Sequence, residues 1–231
     1  MQVITSKDNE FIKHIKKLKD KKYRDISKEF IIEGIKLIKE AIEEKAKIKQ
    51  IVICDNCQNA DIIQKELMYE IAKYECVYVS DKIFKSITEV NTPQGILAII
   101  ERNNSNEQEA EIDYTQDIIV ALDDIQDPGN LGTILRTVDS VGLNQILVSK
   151  GTADCYNPKV VRSTMGAIFR VKIIECENFI LFLYVFSNFC KSISYLLCSK
   201  VNTTAVLLLA ILLIENGFAK YFILAISNKF S

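Results

Sequence analysis

The hydrophobic positions of the first hundred residues alternate between two periods. Apolar residues recur at helical spacing over 11–18, 35–44 and 62–74, and another helix is expected from residue 81. Short apolar runs predict four strands, at 29–34, 48–54, 76–79 and 95–100. This alternation predicts a compact α/β domain over residues 1–102.

A second domain is expected after a polar linker, because residues 103–113, NNSNEQEAEID, have no aromatic side chain and no periodicity. Strands are predicted at 118–122 and 144–148, and between them lies a helix with Leu131, Ile134, Leu135 and Val138 on its apolar face. A strand-helix-strand unit of this length implies parallel pairing.

The second domain continues with a loop at 149–157 and a helix that begins at Asn157-Pro158, where proline suits the first helical position. The residues expected on one face of this helix are Val160, Val161, Thr164 and Met165. A further strand is predicted at 168–174. The small pair Gly166-Ala167 would allow a ligand or a neighbouring element to approach closely, and close packing is the simpler explanation.

From residue 179 onward the chain is unusually apolar, with five charged residues among the last fifty-three. Its longest unbroken apolar run, 205–214, has ten residues, whereas a membrane-spanning helix needs roughly twenty. Glu215, Asn216 and Lys220 interrupt any extension of that run. We therefore expect no membrane span.

Composition places the chain among globular proteins: 231 residues, 48% hydrophobic and a formal net charge of −1. An odd number of cysteines, seven, and an amino terminus without a basic leader and apolar segment favour free thiols in the cytoplasm. Cys54 and Cys57 alone have metal-ligand spacing. Because no second pair exists and His14 is the sole histidine, we expect no metal site.

Positive charge is concentrated near the amino terminus, where the first fifty residues hold fourteen Lys or Arg against nine Asp or Glu. The candidate RNA-binding cations are Lys13, Lys16, Lys17, Lys21, Lys22 and Arg24, beside the apolar face of the first helix. Two interpretations stay open: an ordinary solvated helix face, or a surface that contacts the phosphates of a nucleic acid.

The stretch with the clearest candidate chemistry is 122–136, LDDIQDPGNLGTILR. Asp127-Pro128-Gly129 is typical of a turn, Asn130 stands where a helix cap is expected, and Arg136 should project from the second helical turn. Nucleotide binding by the 129–132 loop is disfavoured because neither a G-x-G-x-x-G pattern nor a Walker lysine is present.

Two segments, DDIQDPGNLGTILRTVDSVG and NPKVVRSTMGAIFRV, resemble the first and second motifs of the SpoU or TrmH class of RNA 2′-O-ribose methyltransferases. ITSKDNEFIKHIKKLKDKKYR, FIIEGIKLIKEAI and NTPQGILAI are similar to the small substrate-binding domain of its rRNA-modifying branch. The resemblance covers residues 1–178. It implies an α/β protein with an L30e-like amino-terminal domain, and a trefoil-knotted domain over 114–231 that binds S-adenosylmethionine and works as a homodimer on structured RNA.

The resemblance also assigns roles by position. Arg136 matches the catalytic arginine, Asn130 the asparagine of the first motif, and Thr164, Met165 and Gly166 fall in the second motif near the cofactor. The third motif is not matched: Glu215-Asn216-Gly217 is at most a degraded form of the expected Gly-Asn-Glu turn, and the segments that should follow it are absent. Through this partial similarity Glu215 is the third catalytic candidate, after Arg136 and Asn130.

Two functions are therefore expected to compete. The first is S-adenosylmethionine-dependent methylation of a ribose 2′-hydroxyl in rRNA or tRNA. The alternative is an RNA-binding protein without catalysis, the product of a disrupted reading frame, in which the knot is incomplete.

Overall fold

The computed structural model describes residues 3–55, 59–102, 112–113, 118–176, 207–210 and 222–227. These residues form two five-stranded sheets flanked by helices. By their contacts they divide into two compact units. The first combines Met1–Asn104 with Tyr156–Phe169, and the second combines Ser105–Cys155 with Arg170–Ser231.

The first unit is a mixed sheet covered by helices. Its strands are β1 (Val3–Ile4), β2 (Glu29–Glu33), β3 (Ile48–Cys54), β4 (Cys76–Val79) and β5 (Ile96–Glu101). Its helices are α1 (Glu10–Lys17), α2 (Lys21–Ser27), α3 (Ile35–Glu43), α4 (Ala60–Glu66), α5 (Met68–Ile71), α6 (Asp81–Ile87) and α8 (Pro158–Thr164), with a 3-10 turn at Ala167–Phe169. The strand order is β1-β4-β3-β5-β2, in which β1, β4 and β3 are parallel and β5 runs antiparallel to both of its neighbours.

The helical periodicity of α1 determines how this unit packs. Ile12, Ile15 and Leu18 are fully buried in a core that includes Val52 and Phe84. The predicted strands 48–54 and 76–79 are confirmed as β3 and β4. The single helix predicted over 62–74 is wrong, because the chain breaks at a buried Leu67 with φ −126° and forms the two short helices α4 and α5.

Helix α3 depends on a residue far along the chain for its first hydrogen bond. Gly34 precedes the helix with φ 105°, a conformation that favours glycine, and it has no side chain to cap the helix. The amide oxygen of Gln94 accepts a hydrogen bond from Ile35 N at 2.8 Å instead. The 90–94 loop and the start of α3 are thus fixed to each other.

The second unit is built on β6 (Ile118–Asp123), α7 (Pro128–Ser140), β7 (Gln145–Ser149), β8 (Lys172–Cys176), β9 (Leu207–Ala210) and β10 (Phe222–Ser227). The strand order is β8-β7-β6-β10-β9. The predicted parallel pairing of β6 with β7 is confirmed, and β7 pairs parallel with β8. Strand β10 lies on the other side of β6, also parallel to it, with Ser227 opposite Asp123.

In this order, β7 lies on one side of β6 and β10 lies on the other. The strand order therefore reverses its direction at β6. Ligands of parallel α/β sheets usually bind beyond the carboxyl ends of the strands at such a point. The loop after β6, residues 124–127, and the start of α7 occupy that edge. The second unit therefore presents the first-motif stretch where a ligand site is expected.

Two predicted features of the carboxyl-terminal half are wrong. Residues 168–171 are not a strand, because a 3-10 turn at Ala167–Phe169 intervenes and β8 begins at Lys172. Met165 is not on the buried face of α8, since it ends that helix in the left-handed conformation with φ 51° and is 43% exposed. Val160, Val161 and Thr164 are buried as expected, and α8 packs against β2.

Among the residues that the structure describes, no helix combines the length and the apolar character required to cross a bilayer. The predicted knot would have to be closed by the segment after Cys176. Of that segment only β9 and β10 are among the described residues.

Candidate functional site

The start of α7 is fixed by Asp127 and not by Asn130. The Asp127 carboxylate accepts a hydrogen bond from Asn130 N at 2.7 Å, and Pro128 occupies the first helical position. Asn130 therefore lies in the first turn of the helix, and the prediction that it caps α7 is wrong. Its side chain is exposed, so the capping function of Asp127 leaves the Asn130 amide available to a ligand.

Arg136 is exposed on the same helix. Because α7 begins at Pro128, Arg136 lies in the third turn and not in the second as predicted. The inward face of α7 carries Leu131, Leu135 and Val138, all buried. Burial of those three side chains orients the helix and leaves Arg136 on the opposite, solvent-facing side.

Hydrogen bonds between the loops after β6 and β7 fix the edge of the sheet. Asp124 N donates to Ser149 Oγ at 3.0 Å, and Thr152 Oγ1 donates to Leu122 O at 3.2 Å. The backbone of Ala153 donates to Ile125 O at 2.8 Å. The two loops therefore support each other at the carboxyl ends of adjacent strands.

Gly151 allows the loop after β7 to lie close to the Asp124 carboxylate. A Cβ atom at Gly151 would lie 2.3 Å from Asp124 Oδ1, much closer than any real contact. Asp124 itself adopts φ 58°, which Asp tolerates better than most residues. Neither residue stands out in the hydrophobic pattern, although a glycine in the loop after a predicted strand is a usable signal for close approach.

A bidentate ion pair fixes the far half of α7. Arg170 Nε and Nη2 donate to the two carboxylate oxygens of Asp139 at distances between 2.8 and 3.0 Å. The two side chains are 31% and 21% exposed. Asp139 follows Arg136 by three positions, so the pair holds the turn of α7 next to the candidate catalytic arginine.

The second-motif residues belong to the first unit. The predicted start of α8 at Asn157-Pro158 is confirmed, and Asn157 caps the helix by accepting a hydrogen bond from Lys159 N at 2.9 Å. Thr164 is fully buried and its hydroxyl donates to Val161 O at 2.7 Å. Gly166 has φ 96°, and a Cβ there would lie 2.8 Å from Glu40 Oε2. Asn130 and Arg136 thus share one helix of the second unit, whereas Thr164, Met165 and Gly166 share the end of α8 in the first.

Comparison with known proteins identifies both segments. Residues 9–98 match the MRM3-like substrate binding domain, and residues 117–204 match the SpoU rRNA Methylase family. A crystal structure of an rRNA methyltransferase from Sinorhizobium meliloti is similar with a TM-score of 0.66 and 30% identity, covering 80% of this chain and 69% of that one. The chain belongs to the SpoU rRNA methylase family.

Two further relatives of this family add detail. The S. meliloti methyltransferase with bound AdoMet is 31% identical with a TM-score of 0.62, over 79% of this chain and 68% of that one. The 23S rRNA (guanosine(2553)-2′-O)-methyltransferase RlmP of Bacillus subtilis is 35% identical over 175 residues. That match takes in 76% of this chain but 65% of RlmP, so the chain spans slightly less than two thirds of that relative. The predicted α/β class and SpoU membership are confirmed.

The basic surface of this SpoU family member lies on α1 and α2. Lys17, Lys21 and Lys22 are exposed, and Lys13 and Lys16 are partly exposed. These five residues form the surface that we call the α1–α2 lysine patch. Lys13 is paired with Glu10 at 2.8 Å, so its charge is partly neutralised locally.

A polar network anchors the patch to the sheet. His14 Nε2 lies 2.6 Å from Glu29 Oε2, and His14 Nδ1 lies 2.8 Å from the Tyr23 hydroxyl. Lys49 contacts the other Glu29 oxygen at 2.5 Å. Because Glu29 is buried on β2, this network fixes α1 and α2 against the sheet.

Arg24 does not belong to the patch, and its assignment as an RNA-binding cation is wrong. Its side chain is 1% exposed, and Nη1 donates to Leu18 O at 2.7 Å. A guanidinium in this position satisfies the carbonyl at the end of α1 and cannot reach a phosphate. The error arose because charge density along the chain does not show which face of a short helix is covered.

The cysteines and the candidate residue Glu215 are described only in part. The described residues contain no group of His, Cys, Asp or Glu side chains able to hold a metal ion. Cys54 and Cys155 are buried thiols outside any disulfide, Cys76 and Cys176 are partly buried ones, and burial raises the pKa of the Cys76 and Cys176 thiols. Cys57 and Glu215 lie outside the described residues.

Proposed function

We propose that this chain transfers a methyl group from S-adenosylmethionine to a ribose 2′-hydroxyl of rRNA. The observation that carries the proposal is the exposed Arg136 on a helix whose other face is buried, within a segment that matches the SpoU family. The name of RlmP states that this relative modifies the 2′-oxygen of a guanosine in 23S rRNA. A relative from S. meliloti binds AdoMet.

Arg136 acts by holding the substrate and favouring loss of its proton. The 2′-oxygen must lose a proton as it gains the methyl group, but a guanidinium, with a pKa above about 12, is a poor base. A guanidinium instead grips a phosphate with two parallel hydrogen bonds. That grip places the neighbouring ribose for in-line attack, and the positive charge stabilises the developing alkoxide. As the O–CH3 bond forms, the bond between the methyl carbon and the sulfonium sulfur breaks, and the 2′-hydroxyl proton passes to solvent water.

Asn130 is proposed to orient the substrate, because Asp127 relieves it of the capping role. Its exposed amide offers both a donor and an acceptor. Nearly two turns of α7 separate it from Arg136, so the two side chains together span about 9 Å of a bound strand. Asn130 thus contributes to positioning and Arg136 to the electrostatics of the reaction.

The residues predicted to hold the cofactor fit that role poorly in the described arrangement. The Thr164 hydroxyl is buried and already donated to Val161 O, and Gly166 faces the Glu40 carboxylate. Of the three, Met165 alone is exposed. S-adenosylmethionine, when bound, supplies an electrophilic methyl group. Contact of Gly166 with the cofactor would require Glu40 to move.

The α1–α2 lysine patch is proposed to bind structured RNA through its phosphates. Five lysines on two adjacent helices supply the sequence-independent part of nucleic-acid affinity. The match of residues 9–98 to a substrate-binding domain supports the same assignment. Action as a homodimer is a further proposal that follows from the family resemblance. Residence in the cytoplasm is a further proposal that follows from the odd number of cysteines.

The poor fit of Thr164 and Gly166 favours a second candidate, an RNA-binding protein without methyl transfer. Calorimetric titration of the full chain with S-adenosylmethionine separates the two. Heat with a saturable isotherm supports the enzyme, and no heat at millimolar cofactor supports RNA binding alone.

The decisive test of the enzyme is transfer of a radioactive methyl group to rRNA by the full chain, with Arg136→Ala and the control Ser140→Ala. Both side chains are exposed on α7. We expect Arg136→Ala to abolish transfer while RNA affinity changes little, and Ser140→Ala to retain transfer. Equal loss of transfer and RNA affinity in Arg136→Ala would contradict the catalytic role.

A further inference from the structure

A cavity of about 340 Å³ opens on the first unit between α3, the 90–94 loop and the end of α8. Each of these three pieces belongs to a different stretch on which the family resemblance rests. FIIEGIKLIKEAI supplies Glu33, Lys36 and Glu40, NTPQGILAI supplies Gln94, and NPKVVRSTMGAIFRV supplies Arg162 and Met165. Three stretches separated in sequence by up to 132 positions, from Glu33 to Met165, thus meet at one concave surface.

The lining of the cavity combines three kinds of chemistry. Glu33 and Glu40 provide carboxylate acceptors, Lys36 and Arg162 provide cations, and Met165 provides an exposed apolar and polarisable surface. A volume of a few hundred cubic ångströms with convergent polar groups is typical of a small-ligand site. Cations of this kind can bind a phosphate, a thioether can contact an aromatic face, and carboxylates can accept from N–H donors on a ring edge.

Several contacts hold these groups in place. Glu33 Oε1 accepts from the Thr88 hydroxyl at 2.6 Å, which fixes that carboxylate at the cavity wall. The absence of a side chain at Gly166 leaves the space that the Glu40 carboxylate occupies, because a Cβ there would lie within 3.2 Å of three Glu40 atoms. Gln94 fixes the third wall through Ile35 N. The cavity is therefore built by specific contacts and not by loose loops.

We propose that this cavity receives one guanine nucleotide of the substrate RNA. The inference rests on the proposed function, since it names the nucleotide that the RNA-binding unit reads. Guanine is favoured because its Watson–Crick edge carries adjacent N1–H and N2–H donors, whereas a carboxylate can only accept. Adenine offers one donor group beside an acceptor, and uracil offers one donor between two acceptors, so both leave carboxylate oxygens unmatched.

The chain offers a direct probe of this cavity, because it has three methionines, Met1, Met68 and Met165. Met165 lines the cavity, whereas Met68 lies on α5 and does not. In the full chain labelled with 13C at the methionine methyl groups, we expect GMP to shift the Met165 resonance saturably and leave Met68 unchanged. AMP and UMP should bind about tenfold more weakly, the difference typical of one missing bidentate pair.

Single substitutions in the cavity test which side chain recognises the base and which one binds the phosphate. Glu40→Gln should weaken GMP binding about tenfold with little effect on AMP, whereas Lys36→Gln should weaken every nucleotide alike. The control is Glu43→Gln, since Glu43 is exposed on the same helix and does not line the cavity. Each variant is compared by the same Met165 titration, so a folded protein is verified by the unchanged Met68 signal.

Three results would overturn the inference: no shift of Met165 at about 10 mM GMP, far above the range of specific binding; equal shifts with GMP, AMP and UMP; or the same shift with ribose 5-phosphate, which would make the cavity an anion site. These outcomes are separate from failure of the proposed function. Affinity for an rRNA fragment, measured by fluorescence anisotropy, tests RNA binding itself, and it can persist while the cavity ignores guanine. Loss of both RNA binding and the GMP-induced shift would contradict the guanine site and also the proposed RNA-binding function on which it rests.

Discussion

Arg170 binds Asp139 through the Nε and Nη2 edge of its guanidinium, with Nη2 2.8 Å from Oδ2 and Nε 2.9 Å from Oδ1. This geometry matches the planar fork of arginine to the plane of a carboxylate. The pair joins α7 to the residue two positions before β8, so it ties the helix that carries Arg136 to the edge of the sheet. Lysine could supply the charge at position 170 but not the fork.

We therefore expect Arg170→Lys to lower the free energy of unfolding by about 1–2 kcal/mol, a value reduced because both side chains are partly exposed. Urea denaturation measures this loss. In a double-mutant cycle with Asp139→Asn and Arg170→Gln, the coupling should be about 1 kcal/mol. Additive single effects would show that the two side chains act independently.

Gly151→Ala should destabilise the second unit because its Cβ would meet Asp124 Oδ1 at 2.3 Å. We expect a loss of no more than about 1 kcal/mol in the free energy of unfolding, because Gly151 is exposed and the Asp124 carboxylate can rotate away. The Asp124→Ala background should recover most of the Gly151→Ala loss, and an undiminished loss there would exclude this steric cause.

Much of the fold could be predicted because its signals are local. Strands β3 and β4 follow from apolar runs between polar turns, and the start of α8 follows from Asn157-Pro158. The same rule would have placed the start of α7 at Asp127-Pro128, since a cap residue directly precedes a proline there as well. The prediction of a cap at Asn130 is wrong because Gly129 is a weaker signal for the helix start than Pro128.

The errors and omissions in the candidate site share a different origin, which is long-range packing. Arg24 is a cation by sequence, but its burial depends on how α2 lies against the end of α1. Gly166 was expected near a cofactor, whereas its neighbour is Glu40, 126 positions earlier. The Gln94 bond to Ile35 N likewise joins residues 59 positions apart. No periodicity within a segment reports such contacts.

The α1–α2 lysine patch gives a prediction about salt. Replacing Lys16, Lys17, Lys21 and Lys22 with Gln should reduce the slope of log affinity against log salt, by up to about 0.9 for each duplex phosphate that the protein no longer neutralises. An equal change of charge elsewhere, at the exposed Lys45, Lys65, Lys73 and Lys82, should leave the slope nearly unchanged. Identical slopes for the two quadruple variants would show that the patch is an ordinary solvated surface.

For the buried Arg24 we expect a change in stability and no change in the salt dependence of RNA binding. Arg24→Met should leave the salt slope unchanged but lower the free energy of unfolding by about 1–3 kcal/mol, because the buried Leu18 carbonyl loses its donor. Thermal unfolding and the same RNA titrations measure the two quantities. A reduced salt slope in a fully folded Arg24→Met protein would show that Arg24 contacts an RNA phosphate.

Glu33 gives a prediction about pH. Burial raises the pKa of the Glu33 carboxyl, although hydrogen bonds from Thr88 and the backbone of Glu89 and the charges of Arg162 and Lys19 act in the opposite direction. A carboxyl whose pKa is higher in the folded state binds more protons when folded, so its contribution to stability falls as pH rises. That fall begins near the unfolded pKa of Glu, about 4.3, and is complete above the raised folded value.

Glu33→Gln should therefore gain stability relative to the wild type as pH rises through this window, because the neutral amide does not titrate. Urea denaturation at intervals between about pH 4 and pH 7 measures the difference in the free energy of unfolding. Glu43→Gln, at an exposed position, should show no such trend. A relative loss of stability in Glu33→Gln with rising pH would mean that the charged carboxylate stabilises the fold and that the cations near it, not burial, determine its titration.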